Sequence, residues 1–480
     1  MAVEKSEFFL ANFTFCHKIL FRMNMFQLNV RVSLIYLMFL LGRVYALESN
    51  TDEPSVEETA RVRLHYLEKP VVVDPNSATT LANAFLSQIS ETEEVDSISN
   101  ADSETIERYA LAIEMIENAG GVWDSQLVEQ LSTLGNFQQQ RLNHPAAIEA
   151  YRRAIQINRI AQGLHTPDQI PFLENMIESL VATEDWEQAD LYSDYLFFVQ
   201  HKVYGINDPR LIPALERLAS WNIRAFNLGY GDQLGARLSS AQMLLSAGLR
   251  SVAAHYGRRD ERFLQYLKDL VRSAYYVKMY PEYLVGIDQP EFRSRQENLR
   301  QKLNSNTIYP RSFSLGEAAL RDIINYHIEE DGSVFAIAEA ITHLADWYLL
   351  FDRRANSDNR YLQAWNLLST EPDGDQLKER LFGNVVPLPT FIERPKNLEM
   401  RASNPKIRSN LKYSTADVSF SVSITGAVRN IEVLTEENEE NANLLSRLRR
   451  NVRFSKFRPV IKKGRPTHSE GHVFRYRYWY

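Results

Sequence analysis

Four glycines pace the middle of this chain. Gly121, Gly163 and Gly205 are each 42 residues apart, and Gly257 follows after 52. Six, ten and thirteen residues beyond them stand Leu127, Leu131, Leu134; Gln169, Leu173, Met176; Leu211, Leu215, Leu218; and Phe263, Leu267, Leu270. Positions near i, i+4 and i+7 fall on one side of an α-helix, so each glycine announces a helix with one apolar stripe. A second-helix pattern follows in Ala147, Tyr151, Ala154 and again in Ala189, Tyr192, Leu196, where small residues let paired helices approach closely. No single pair can bury its apolar stripe alone, so stacked pairs must share a core, leaving a concave face suited to extended peptides.

The clearest unit start is Tyr204-Gly-Ile-Asn-Asp-Pro209, with Gly163-Leu-His-Thr-Pro-Asp168 a looser version. In these residues the region 103–370 resembles the tetratricopeptide arrays of kinesin light chains, which implies four or five units and protein binding rather than catalysis. After Tyr280 the register is broken by Pro281, Pro290 and Pro310, and one further pair is expected over about Val334 to Leu368. Trp186, Trp221, Trp347 and Trp365 fall on helical stripes, which predicts packing between repeats.

The last ninety residues change period. Phe420, Val422 and Ile424 alternate within Asp417 to Gly426, and Thr425-Gly426 leads into a second strand, Ala427 to Leu434. Leu444, Leu445 and Leu448 then give a helix over Ala442 to Phe454 an apolar stripe, with Arg447, Arg449 and Arg450 left to water. Phe457-Arg-Pro459, the turn Gly464-Arg-Pro466 and a final strand, Val473 to Tyr480, complete a β-β-α-β order. This stretch, 387–480, resembles the C-terminal domain of the TonB energy-transducer family. The family's Trp two residues before the Phe-x-Pro phenylalanine is replaced by Ser455, and Phe454 is expected to fill that space. The resemblance implies that a partner peptide is received by strand addition. The last strand is expected to be the open edge because no later element can cover it, with Val473, Arg475, Tyr476, Arg477 and Trp479 as the partner-binding residues. Phe474, Tyr476, Tyr478 and Tyr480 are expected to face the helix, leaving Arg475 and Arg477 to select an acidic peptide. A homodimer through the same strand, or capping of the edge by the segment Pro387 to Leu411, is the alternative.

The N-terminus reads as an export signal, 1–46. Val32 to Leu41 is apolar, preceded by Lys18, Arg22 and Arg31 and closed by Arg43, and Val44-Tyr-Ala46 offers a cleavage site before Leu47. The long stretch ahead of the run leaves Met23 or Met25 as alternative starts. Cys16, the one cysteine, would leave with the signal, so no internal disulfide is available to the mature chain. Residues 47–102 are expected to be flexible apart from a short helix over Thr80 to Ile89, and 371–386 to be a linker.

Charge separates along the chain. Residues 387–480 hold 18 Lys and Arg against 9 Asp and Glu, whereas the total is −7. The basic tail suits an anionic partner, and nucleic acid is excluded for an exported chain. No catalytic or metal constellation stands in the sequence: His327 precedes Glu329 and Glu330 without a second His one turn away, and His468 and His472 lack carboxylate or thiol companions. Together these features predict a mainly α multidomain protein, a tetratricopeptide-like α-solenoid followed by a small α+β TonB-like domain. The expected role is a non-enzymatic, cofactor-free adaptor in the periplasm that binds envelope proteins or peptides, an outer-membrane protein among them. The alternative is a TonB-type transducer of the inner membrane, anchored by 32–42, for which membrane contact requires an uncleaved signal.

Overall fold

In a computed structural model of the chain, the described residues are 66–67, 69–73, 99–390 except 232, 286, 288 and 331, and 412–480 except 439 and 440. The export signal, the apolar run at 32–42 and the short helix expected at 80–89 lie outside them. Among the described residues no helix is long and apolar enough to cross a membrane.

Helices α1 (Ser99–Gly120), α2 (Leu127–Gln140), α3 (His144–Gln162), α4 (Ile170–Ala182), α5 (Trp186–Tyr204), α6 (Ile212–Leu228), α7 (Leu234–His255) and α8 (Glu261–Met279) follow one another with short connections. Each packs chiefly on its sequence neighbours, the behaviour of stacked helical hairpins. Every stripe residue named from the glycine spacing is buried except Leu134, which is half-buried. The glycines end the second helices. Gly163 (φ 108°, ψ 170°) and Gly205 (φ 76°, ψ 164°) close α3 and α5 in backbone conformations that essentially glycine alone adopts. A proline-led 3₁₀ turn, Pro167–Gln169 or Pro209–Leu211, then starts the next unit.

The fourth hairpin is split. Helix α8 pairs with α10 (Phe313–Glu329), and the residues between them carry α9 (Pro290–Lys302), which lies on α7. The inserted segment is tied down there: Gln242 donates to the Arg311 carbonyl at 2.7 Å and accepts from the Arg311 N–H at 2.7 Å, and Arg250 donates to the Leu303 carbonyl at 2.9 Å. The three prolines therefore mark an insertion that interrupts one hairpin without ending the array. A last pair, α11 (Val334–Leu350) and α12 (Arg354–Leu368), falls where the sequence places it. Trp347 of α11 is fully buried against Gly316 of α10, where a Cβ would stand 2.1 Å from the indole.

The stretch expected to be a linker is instead a helix, α13 (Gly374–Phe382), followed by a short strand β3 (Val386–Pro387). Leu381 and Phe382 of α13 share a core with Ile341, Ala345, Tyr361 and Leu368 of the last hairpin and with Ile461 of the C-terminal unit. A chain segment that buries this much apolar side chain is an integral part of the core rather than a tether.

The C-terminal unit holds β4 (Tyr413–Val422), β5 (Val428–Val433), α14 (Ala442–Phe454), the short strands β6 (Phe457–Arg458), β7 (Ile461–Lys462) and β8 (Arg465–Pro466), and β9 (Ser469–Trp479). The expected β-β-α-β order is present. Leu444, Leu445, Leu448 and Val452 of α14 cover Phe420, Phe457 and Phe474, whose rings lie 4.9 to 5.3 Å apart. Phe454 does not fill the place expected of it: it is 77% exposed, and Phe457 occupies the core instead. Gly426, at φ +70°, turns β4 into β5 and touches β6 so closely that a Cβ would stand 2.3 Å from the Phe457 carbonyl oxygen.

The sheet also contains two strands from the far end of the chain, β1 (Tyr66–Leu67) and β2 (Val71–Val72). Both pair antiparallel with β9, whose other side is held by β4, so the strand order is β1-β9-β4-β5 with β2 beside β1 on β9. Part of the segment expected to be flexible, 47–102, is thus strand. The last strand is an inner strand in this structure, and the expectation of an open edge there is corrected.

Candidate functional site: a polar face on the first helices and the outer edge of β9

The array presents a polar row. Twelve and fifteen residues after each framing glycine stand Thr133 and Asn136, Asn175 and Glu178, Arg217 and Ser220, and Asp269 and Arg272. These places lie on the first helix of each hairpin, away from the apolar stripe. Side chains bridge from unit to unit along the row. The Asn136 Oδ1 accepts from the Asn175 Nδ2 at 2.9 Å and from the Tyr151 hydroxyl at 2.7 Å. Gln139 donates to the Asn175 carbonyl at 3.2 Å and the Glu178 carboxylate at 3.3 Å, and Arg217 pairs with Glu174. Burial pushes Tyr151 up to about 12, which keeps it a neutral hydroxyl donor under Asn136. Asn136 still has its amide N–H groups and Asn175 its amide oxygen without a protein partner among the described residues. Such amides match the hydrogen-bonding groups of an extended peptide backbone. This row was missed from the sequence, although its spacing from the glycines was readable.

The array and the C-terminal unit are joined by a buried ion pair. Arg458 of β6 donates to both Asp346 oxygens, at 3.0 Å from Nε and 2.6 Å from Nη2, and to the Leu381 carbonyl at 3.2 Å. Tyr361 of α12 donates to the same carboxylate at 2.7 Å. The Asp346 side chain is 0% exposed and that of Arg458 4%. Burial raises Tyr361 well above the usual phenol range, with the negative Asp346 adding to it. His343, one turn before Asp346, is held down at about 4, first by desolvation and then by the Arg458 charge, so the junction carries a neutral imidazole at neutral pH.

At the β9 edge the five expected partner-binding residues divide by face. Tyr476 is buried with Phe474 and Tyr478 beneath the sheet, as the alternation requires. Arg475 is engaged: its Nε and Nη2 each donate to Asp417 of β4 at 2.8 Å, which also keeps the guanidinium charged. Arg477 lies over the Tyr413 ring at 5.3 Å, and Trp479 packs on the same ring at 4.9 Å. In this structure the two arginines are turned to their own sheet, not poised for an acidic peptide. Val473 accepts from the Val73 N–H at 3.1 Å, so its carbonyl is already used by the upstream strand.

Among the described residues no three His, Cys, Asp or Glu side chains gather as metal ligands. His468 bonds the Val422 carbonyl of β4 at 3.1 Å and has Glu470 as a carboxylate companion at 3.0 Å, one the sequence reading did not count.

No protein-family model and no curated protein matches the chain. Solved structures do align with it. A protein described as a kinesin light chain from Podosopora anserina, with nearly identical TPR-like repeats, aligns over 53% of this chain and 96% of its own, at 13% identity and a TM-score of 0.32. BtubC (BKLC) from P. vanneervenii aligns over 64% of this chain and 98% of its own, at 10% identity and a TM-score of 0.31. The repeat architecture described above rests on the helix order and burial of this chain itself.

Proposed function

We propose that the protein is a non-enzymatic adaptor that holds two protein partners, one on the polar face of the first helices and one on the C-terminal sheet. The observation that carries this reading is the row from Asn136 to Arg217, where polar groups of successive hairpins line up with amide capacity to spare. A stack of hairpins joined this way offers one long surface, and extended segments are the ligands that such a surface fits. The TonB-type reading of residues 387–480, the periplasmic location and an envelope partner belong to the same proposal, supported by the motifs of that stretch and the export-type N-terminus. Cleavage is expected before Leu47, and mass-spectrometric sequencing of the mature chain checks it; a retained, membrane-embedded start favours the transducer alternative instead.

The adaptor role is tested by affinity capture with the full chain from envelope fractions. The double variant Asn136→Leu/Asn175→Leu is expected to lose one captured protein at least tenfold while leaving others in place. Equal capture by both forms removes the array face from the account. The full chain is the right bait because the separated halves would strand Asp346 and Arg458 without each other.

A further inference from the structure

We infer that the outer edge of β9 is a peptide-binding site that the chain's own residues 66–73 occupy as a built-in, exchangeable ligand. This deepens the reading of the C-terminal sheet as a partner-binding element and rests on it. The occupant reaches β9 from just over 400 residues away in sequence, and its register is explicit: Tyr66 opposite Trp479, Leu67 opposite Tyr478, Val71 opposite Arg475 and Val72 opposite Phe474. Between Leu67 and Val71 the occupant advances four residues while β9 advances three, so the ladder is broken around Pro70, which has no N–H to give. Two ladders of two residues, the second extended by the Val73 N–H on the Val473 carbonyl, are short compared with the β4–β9 pairing on the other side.

Side chains hold it mainly at Leu67 and at Lys69, whose Nζ donates to the Thr390 carbonyl at 3.4 Å. Leu67 packs on the core under the sheet, but Val71 is 64% exposed and Val72 60%. Val72 lies on the core-facing side, since residues directly opposite on paired strands share a face and Phe474 is buried there. It is exposed because it stands over an open recess of about 250 Å³ bounded by Asn384, Val385, His472 and Phe474. The native valine is too small to fill this space.

The geometry defines the better ligand. It is an extended peptide, antiparallel to β9, with a leucine-like residue at the Leu67 place and a large apolar or aromatic residue at the Val72 place. Backbone pairing supplies general affinity and the two apolar positions supply selection. A partner of this pattern displaces 66–73.

The test uses the full chain and a fluorescent peptide copying 64–75, with and without Val72→Phe. Freeing the edge by Leu67→Asp/Val72→Asp in the protein should tighten peptide binding at least about tenfold over the wild type, because the competing occupant is removed. The Val72→Phe peptide should bind tighter than the native copy. A second protein, Val71→Cys/Arg475→Cys, joins directly opposed positions by a disulfide and should lose peptide binding until reduced. This arm stands even if the aspartate variant unfolds. Equal peptide binding by wild-type, aspartate and locked proteins, or no binding to any of them, overturns the inference. Loss of the inference on this result while envelope partners are still captured leaves the adaptor reading intact.

Discussion

Asp346→Ala is expected to destabilise the chain by about 3–5 kcal/mol, because it leaves the Arg458 guanidinium buried without its counter-charge. The Asp346 side chain is fully buried and accepts from Arg458 and Tyr361 together, so one substitution strands two donors. Urea unfolding followed by circular dichroism measures it. The pair's net worth is a different quantity, since both charges were taken out of water to form it. The triple variant Asp346→Leu/Arg458→Met/Tyr361→Phe removes the charges and the dependent hydroxyl at once, and is expected to recover most of the loss. If the single variant costs under about 1 kcal/mol, as an exposed pair would, the array and the C-terminal unit are not joined through this pair.

Leu215→Ala is expected to cost about 2–5 kcal/mol, the range for truncating a buried leucine when the surroundings close only partly. Leu215 sits on α6, the first helix of the third hairpin, is 0% exposed and belongs to the core shared by several hairpins. Leu191 of α5 is the control: it is 59% exposed, and its alanine variant should stay within about 0.5 kcal/mol of the parent. A loss below about half a kcal/mol for Leu215→Ala contradicts the repeat phase derived from the glycines.

The array was legible because its information is local. A glycine at positive φ ends one hairpin and a stripe at helical spacing begins the next, so phase and burial follow from counting along the chain. The helix over Ala442 to Phe454 was equally readable, since apolar and arginine positions divide cleanly around it. What was missed depends on distant residues. Nothing near Tyr66 or Val71 says that a partner strand waits just over 400 residues on, and Pro70 inside the run argues against a strand by every local rule. The helix α13 did leave a sign in Leu377, Leu381 and Phe382, but it was obscured by Pro372, Gly374 and Gly383 around it. Asp346 is a lone acid within the apolar stretch Ala345 to Leu350, which signals a buried partner without naming Arg458. The misplacement of Phe454 came from transferring a family position onto a chain whose core Phe457 already fills.

The site divides in the same way. The alternation of β9 correctly separated Phe474, Tyr476 and Tyr478 from Arg475 and Arg477, because period two is intrinsic to a strand. Whether its edge is open is a property of the whole sheet, and there the local reading fails. The arginines then find Asp417 and Tyr413 on β4, a register that no single strand discloses.

The central claim, that two separate surfaces of one chain each hold a protein, is tested most directly by cross-linking mass spectrometry of the full chain with its captured partners. The account predicts one partner's cross-links clustered along the first helices α2, α4 and α6, and the other's at β9 and the segment 66–73. Cross-links confined to the second helices α3, α5 and α7, or spread evenly over the chain for every partner, would contradict it.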